Sequence, residues 1–182
     1  MLDSYFLKLV AARRSVRKYK ADPVERAKLD FCLEAARLAP SACNAQPFRF
    51  LVLDEPRLKE KFAEAAFSGL YAVTRFAAKA PVIVAVISSS GKLSAWLGNQ
   101  VQDTNFRLVD VGIAAEHFVL AAADQGLGTC WIGWFNAKAG AKALGLGAGE
   151  KIEVLLAAGY PDENPGPRPR KKAEDFCAYN KG

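Results

Sequence analysis

The chain has little of what metal and nucleophile chemistry need. Its 182 residues include a single histidine, His117, and four cysteines, Cys32, Cys43, Cys130 and Cys177. No two cysteines form a C-x-x-C pair, so the usual ligand spacings of a structural zinc site are missing and no metal is expected. No Ser/His/Asp or Cys/His arrangement is indicated either. His117, beside Phe118 in a helical stretch, reads as a partly buried structural residue. No segment reaches the roughly 18 apolar residues of a membrane-spanning helix. The longest clean run, Ala80 to Ile87, suits a buried strand instead. The opening MLDSYFLKLVAARR carries Asp3 and Lys8 inside its apolar part, which is an amphipathic helix pattern and not a secretory leader. Repeats and low-complexity stretches are absent. These absences point away from a membrane and toward a cytoplasmic protein with reduced thiols.

What is present suits one globular domain. Hydrophobic residues make up 51% of the chain and charged residues 24%, enough apolar material for a sizeable core and too little charge for wholesale disorder. The net charge of +6 is gathered in two places, Arg13 to Lys20 and Arg168 to Lys172. Two local clusters suit a phosphate-bearing small ligand as well as they suit a polymer. A solvated basic face is the plain alternative. A basic nucleic-acid-binding domain is the alternative of another class, and it would show strongly salt-dependent affinity and no bound chromophore.

Periodicity predicts helices and strands in mixed order. Residues 3–13 read as a first helix with Phe6, Leu9 and Val10 on one side. Asp22-Pro23-Val24-Glu25 is expected to open a second, with Asp22 as cap, Pro23 at the first helical position and Glu25 closing a capping box. Leu29, Leu33 and Ala36 give that helix its stripe, and it should end before Pro40. Phe48 to Leu53 alternates as a strand. Pro56 begins a third helix carrying Leu58, Phe62 and Ala65. Pro81 to Ile87 is a strand buried on both faces. A long helix is expected from about Gln102 to Asp124, with Leu108, Val111, Ala115, Phe118 and Ala122 inward and Gly126 as its cap. A strand from Leu127 to Ile132, a short helix capped by Asn136, and a strand from Ile152 to Ala158 complete an α+β layered protein. Beyond Gly159 the periodicity stops. Pro165, Pro167 and Pro169 make residues 162–182 an extended arm, most useful if it lies across a partner subunit.

Four segments can carry chemistry. Arg13-Arg14-Ser15-Val16-Arg17 puts three guanidinium forks and a hydroxyl within five residues, a donor set matched to phosphate oxygens. Read alone, it is equally a basic helix end meeting its own dipole. Pro40-Ser41-Ala42-Cys43-Asn44-Ala45-Gln46-Pro47 is a loop fixed by two prolines. Its amides can read the edge of a heterocycle, or simply cap the helix and hold the turn. Gly126 to Phe135 joins glycine to aromatic residues and enters a strand, so it is not the dinucleotide fingerprint. There Gly133 allows close backbone approach to a flat ligand, while Trp131, Trp134 and Phe135 are either cavity walls or core. Arg168-Pro169-Arg170-Lys171-Lys172 repeats the basic theme, as a ligand clamp or as a sticky tail.

Taken in order, RRSVRKY, PSACNAQPFRF, GLGTCWIGWF and GYPDENPGPRPR resemble the nitroreductase family of flavoproteins, over nearly the whole chain. The resemblance implies an α+β three-layer sandwich, a central mixed, mainly antiparallel sheet flanked by helices, forming a homodimer. Residues 1–160 would be a single FMN-binding domain and 161–182 its extended C-terminal arm. It implies that Arg13 and Ser15 bind the FMN phosphate, with Arg14 close by, and that Arg17 faces the pyrimidine edge of the flavin and tunes it. Pro40, Ser41, Ala42 and Asn44 would cover the flavin from the other subunit. Ile132 and Gly133 would meet the ring through backbone groups, and Arg168 and Arg170 would close on the phosphate. The implied activity is NAD(P)H-dependent reduction of nitroaromatic, quinone or similar small acceptors. NADH or NADPH is the donor, the reaction is ping-pong through flavin N5, and no protein acid or base is catalytic. A flavin-consuming or dehalogenating member of the same fold is the alternative. Phe48 stands where the family often has tryptophan, and the glutamate that many larger members carry near Gly133 is missing.

Overall fold

The computed structural model describes residues 3–89 and 104–180. The elements in order are α1 (Tyr5–Ala12), α2 (Arg26–Arg37), β1 (Phe48–Leu53), α3 (Pro56–Ala66), β2 (Val82–Ser89), α4 (Phe106–Asp124), β3 (Gly128–Ile132), α5 (Ala137–Ala143), β4 (Glu150–Gly159) and the short α6 (Ala173–Phe176). A tight 3-10 segment, Gly69–Lys79, links α3 to β2 and has no counterpart among the expected elements. The expected start of the long helix at Gln102 lies outside the described residues.

One four-stranded sheet, ordered β1-β2-β4-β3, forms the middle layer, and every neighbouring pair is antiparallel. Among the described residues, the single parallel contact is an isolated bridge between Ser15 and Thr129 at the outer edge of β3. β2 shows why there are three layers. Side chains alternate across a strand, and Ile83, Ala85 and Ile87 enter one core while Val82, Val84 and Val86 enter the other. The first core is closed by Phe62 and Ala66 of α3, Phe67, Ala77 and Phe135. The second is closed by Leu29 and Cys32 of α2 and by Val111, Phe118 and Val119 of α4. Phe50 stacks on Phe118 with ring centroids 6.0 Å apart. A bulge interrupts the β2–β4 ladder, where Val86 faces Val154 and Ile87 faces Ile152, so that Glu153 is the extra residue.

Caps explain where several elements stop. Gly126 sits at φ +75°, and Leu127 N–H reaches Ala122 O at 2.8 Å while Gly126 N–H reaches Ala123 O at 3.1 Å. That paired bonding is a Schellman motif and closes α4 as expected. Asn136 accepts from Ala139 N–H and opens α5. The second helix differs from expectation. It begins at Arg26, with Glu25 as an extended cap residue making no side-chain capping bond. Residues 18–20 are instead held extended against the stretch from Tyr160 to Asp162. The Glu25 carboxylate accepts from Tyr160 Oη at 2.5 Å, so it is not free to close a capping box. His117 also departs from expectation. It falls off the stripe Val111, Ala115, Phe118 and Ala122, is exposed, and its ring meets Ile113 O at 2.8 Å.

Two glycines bring separate segments close enough to build a site. A Cβ on Gly128 would stand 2.7 Å from a Val16 methyl, and one on Gly159 would stand 2.5 Å from Pro81. Only hydrogen at those positions lets the 13–17 stretch lie on β3 and lets Tyr19 and Pro81 crowd the end of β4. No residue of α1 is buried in the single chain, although Tyr5, Phe6 and Leu7 are large and apolar, and Leu108 and Val109 of α4 are likewise exposed.

Candidate functional site

The end of α1 and the start of the C-terminal arm make one cationic site. Arg13 is the cap residue of α1, and its guanidinium lies 3.9 Å from Glu116 on α4, with 15% of the side chain exposed. Arg14 donates through Nε to Gly166 O at 3.3 Å and through Nη1 to Arg13 O at 3.1 Å and to Ala11 O. Arg168 comes back along the arm and donates to Val10 O. Arg14 and Arg168 therefore satisfy terminal carbonyls of α1, where the helix dipole favours a cation. Each guanidinium carries five N–H donors, so the fork is not exhausted by these bonds.

Electrostatics of the cluster point to an anion. The Arg168 guanidinium is pushed below its ordinary range, first by burial and then by the neighbouring charges of Arg13, Arg170 and Arg14, against a smaller opposing effect from Glu116. Four cations with one carboxylate close by form a self-repelling set. A phosphomonoester, with close to two negative charges and three acceptor oxygens, is the group that relieves it. The residues present thus fit the phosphate of a mononucleotide.

Ser15 and Val16 fasten this cluster to the sheet. Ser15 bridges Thr129 in parallel, and Val16 N–H donates to Thr129 O at 2.9 Å. Three residues farther along β3, Ile132 is buried at the strand end while Gly133 is exposed, with open space where a Cβ would project. The backbone at Gly133 is therefore approachable by a flat ligand. Trp131 and Phe135 fall into the two cores. Trp134 alone stays in the open, 56% exposed, with its indole N–H on Leu70 O at 3.1 Å and its ring 5.3 Å from Tyr71. Arg17 lies on the same side. Its guanidinium stands 5.9 Å from the Phe76 ring centre and donates to Ser15 O at 3.4 Å.

The Pro40–Pro47 loop is built elsewhere in the chain. Cys43, Asn44 and Gln46 take φ values of +50°, +53° and +46°, left-handed positions that non-glycine residues rarely adopt, with Ala45 right-handed between them. The loop is held by Gln46 N–H on Ser41 Oγ at 3.0 Å, by the Gln46 amide on Asn44 Oδ1 at 3.0 Å, and by Ala42 N–H on Asp110 Oδ1 at 2.9 Å. Asp110 is 3% exposed inside α4. Among the described residues, no hydrogen bond or ion pair joins this loop to the arginine cluster. One chain thus clusters Arg13, Arg14, Arg168 and Arg170, with Ser15 and Arg17 on the adjoining stretch and Ile132 and Gly133 farther along β3, while Pro40, Ser41, Ala42 and Asn44 share no described hydrogen bond or ion pair with that cluster.

Several site residues carried no sequence signal of their own. Asp110, Glu116, Phe76 and Glu163 act through tertiary contact. Asp110 is the one charged residue of α4 that is buried, and a buried carboxylate demands a partner, which the Ala42 N–H supplies. The arm also differs from a wholly free tail. Asp162 N–H reaches Lys18 O at 2.9 Å, and Lys20 N–H reaches Tyr160 O at 2.9 Å, so its start pairs with the chain's own residues 18–20. Only beyond Arg168 does it stand clear, with Phe176 and Tyr179 more than four-fifths exposed.

Comparison with known proteins places the chain. Residues 10–160 match the nitroreductase family. An NADH dehydrogenase/NAD(P)H nitroreductase, by name, from Archaeoglobus fulgidus is 32% identical over 86% of this chain and 86% of its own length. The NADPH-flavin oxidoreductase of Vibrio harveyi is 28% identical over 92% of this chain and 70% of its own. The crystal structure of an FMN-dependent nitroreductase from Clostridium difficile R20291 superposes with a TM-score of 0.76 at 26% identity, covering 96% of this chain and 98% of that one.

Proposed function

The chain belongs to the nitroreductase family, and on that premise we propose that it is an FMN-dependent NAD(P)H oxidoreductase reducing small flat acceptors such as nitroaromatics and quinones. The observation that carries the cofactor assignment is the convergence of Arg13, Arg14, Arg168 and Arg170 beside Ser15, a site for one phosphomonoester. The names of the relatives support flavin and NAD(P)H. Arg13 and Ser15 would hold the phosphate with Arg14 beside them, Arg168 and Arg170 would close on it from the arm, and the Ile132–Gly133 backbone would meet the ring. When bound, FMN supplies the hydride chemistry at its N5, and the chain supplies position and charge. Arg17 would stabilise the negative charge that reduction brings near N1. No protein acid or base is assigned a proton.

The active unit in this reading is a homodimer. The apolar surface of α1 and the first turn of α4 left exposed by a single chain supports it. A second copy that covered this surface would bring its own loop over the flavin held by the first. The test is the visible absorption spectrum of the purified or FMN-reconstituted protein, followed by initial-rate kinetics with NAD(P)H and a quinone. A bound flavin and parallel double-reciprocal lines are expected, because one open face beside Gly133 admits one flat substrate at a time. A protein that binds no flavin refutes the assignment. Intersecting lines refute the single-pocket reaction.

A further inference from the structure

We propose that Glu163, the second residue of the arm beyond Pro161, is the positioning residue for Arg17; this rests on the reading of Arg17 given above. The antiparallel contact between residues 18–20 and 160–162 runs out at Asp162. The amides at and just before its end on the other stretch belong to Lys18 and Arg17, and both meet the Glu163 carboxylate. One oxygen, Oε1, accepts Arg17 N–H at 2.5 Å and Lys18 N–H at 3.2 Å. An ionised carboxylate is among the strongest acceptors an amide can find, and a backbone N–H held by one is fixed more firmly than by a neutral carbonyl.

The backbone matters here because little else holds the Arg17 side chain. Its guanidinium is exposed, its bond to Ser15 O is long at 3.4 Å, and its approach to the Phe76 ring, 5.9 Å, is at the limit of a cation–π contact. The direction in which the guanidinium projects is therefore set mainly by the peptide it grows from. Glu163 fixes that peptide without consuming the cation. Among the described residues no ion pair joins Glu163 to Arg17, so the guanidinium donors stay available to a ligand. Burial raises the Tyr19 hydroxyl and the Cys130 thiol, and on both of them the Glu163 carboxylate and the Arg17 guanidinium act in opposite directions. A consequence is that docking of the arm and placement of Arg17 are a single event.

The experiment compares Glu163→Ala, Glu163→Gln, Arg17→Ala and the double alanine variant, each reconstituted with FMN. Two quantities are read, the midpoint potential of the bound flavin and amide hydrogen exchange at residues 17 and 18. Glu163→Gln loses the same charge as Glu163→Ala but keeps a neutral, weaker acceptor for the two N–H groups, so both quantities should lie between those of wild type and Glu163→Ala. Glu163→Ala should lower the potential in the same direction as Arg17→Ala, and the double variant should fall no further than Arg17→Ala alone. Exchange at residues 17 and 18 should accelerate about tenfold or more in Glu163→Ala, as expected for loss of a hydrogen bond to a charged group. Additive losses in the double variant overturn the proposal, because the two residues would then act separately. Unchanged exchange in Glu163→Ala overturns the positioning contact by itself. An unshifted potential in Arg17→Ala has a different meaning: it removes the flavin role of Arg17 and with it the functional half of the proposal, while the exchange data still report the contact.

Discussion

Gly128→Ala tests whether the stretch proposed to bind the phosphate is built by the close approach of two backbones. The added Cβ would lie 2.7 Å, 2.9 Å and 3.1 Å from three carbons of Val16. The shortest of these is roughly 0.8 Å below the optimal carbon–carbon separation of about 3.5 Å. Val16 is 4% exposed and is tied to Thr129 by its own N–H, so it cannot swing away into solvent. The strain must push the 13–17 stretch off β3. Overpacking of this size costs about 2 kcal/mol. For a chain of this length that lowers the melting temperature by roughly 4–8 °C. The same displacement moves Ser15 and Arg17, so FMN affinity should fall by about tenfold or more, the effect of one lost charge-assisted contact. Differential scanning fluorimetry and fluorescence titration of the apoprotein with FMN read the two effects. Adding Val16→Ala removes the methyls at 2.7 Å and 3.1 Å but leaves the Val16 Cβ at 2.9 Å, so FMN affinity should recover only in part. Gly128→Ala with unchanged melting and unchanged FMN affinity would refute the reasoning. So would a double variant with weaker affinity than the single one.

Replacing Arg168 and Arg170 together by alanine should weaken FMN binding by about tenfold or more while leaving the fold intact; unchanged affinity would remove the arm from the phosphate site. Sedimentation at micromolar concentration should show a dimer, and a monomer that retains FMN would refute the shared site. In the native protein Cys32 and Cys130 should resist Ellman's reagent at pH 8, since burial pushes the Cys32 thiol up to about 12 and raises Cys130 as well; rapid modification of all four thiols would contradict this. An unfolded thiol loses its proton near pH 8.5, whereas folded Cys32 keeps its own to about 12. The folded state therefore binds more protons in that window, and stability to denaturant should fall as pH rises from about 9 toward 12.

Most of the layered fold was legible because its elements state themselves locally. β2 is a Val/Ile run with no polar face, which admits only a strand covered on both sides. Phe48–Leu53 alternates and follows a proline, and it formed the strand as read. Gly126 and Asn136 carry their capping chemistry in their own side chain or lack of one. The second helix was misplaced for the opposite reason. Asp22, Pro23 and Glu25 make a good local start signal, but residues 18–20 pair with residues 160–162, and Tyr160 takes the Glu25 carboxylate. A partner about 135 positions away in the chain outweighed a cap worth about 1 kcal/mol.

The site divides along the same line. Arg13, Arg14, Ser15 and Arg17 are written within five residues, and Arg168 with Arg170 within three, so sequence alone determined the donor types and their clustering. It also determined that Gly133 stands at a strand end, free of a side chain. Tertiary structure decided that the two basic clusters are one site, because the arm turns back along residues 10–20 and only then does Arg168 meet α1. It decided which aromatic faces outward, since Trp131, Trp134 and Phe135 look alike in sequence and only the sheet's two faces distinguish them. It decided the parts played by Asp110 and Glu163, whose carboxylates hold amides 68 and 146 positions away. Such partners are invisible to local pattern because hydrogen bonding depends on distance in space, and only the packed layers bring those amides within reach.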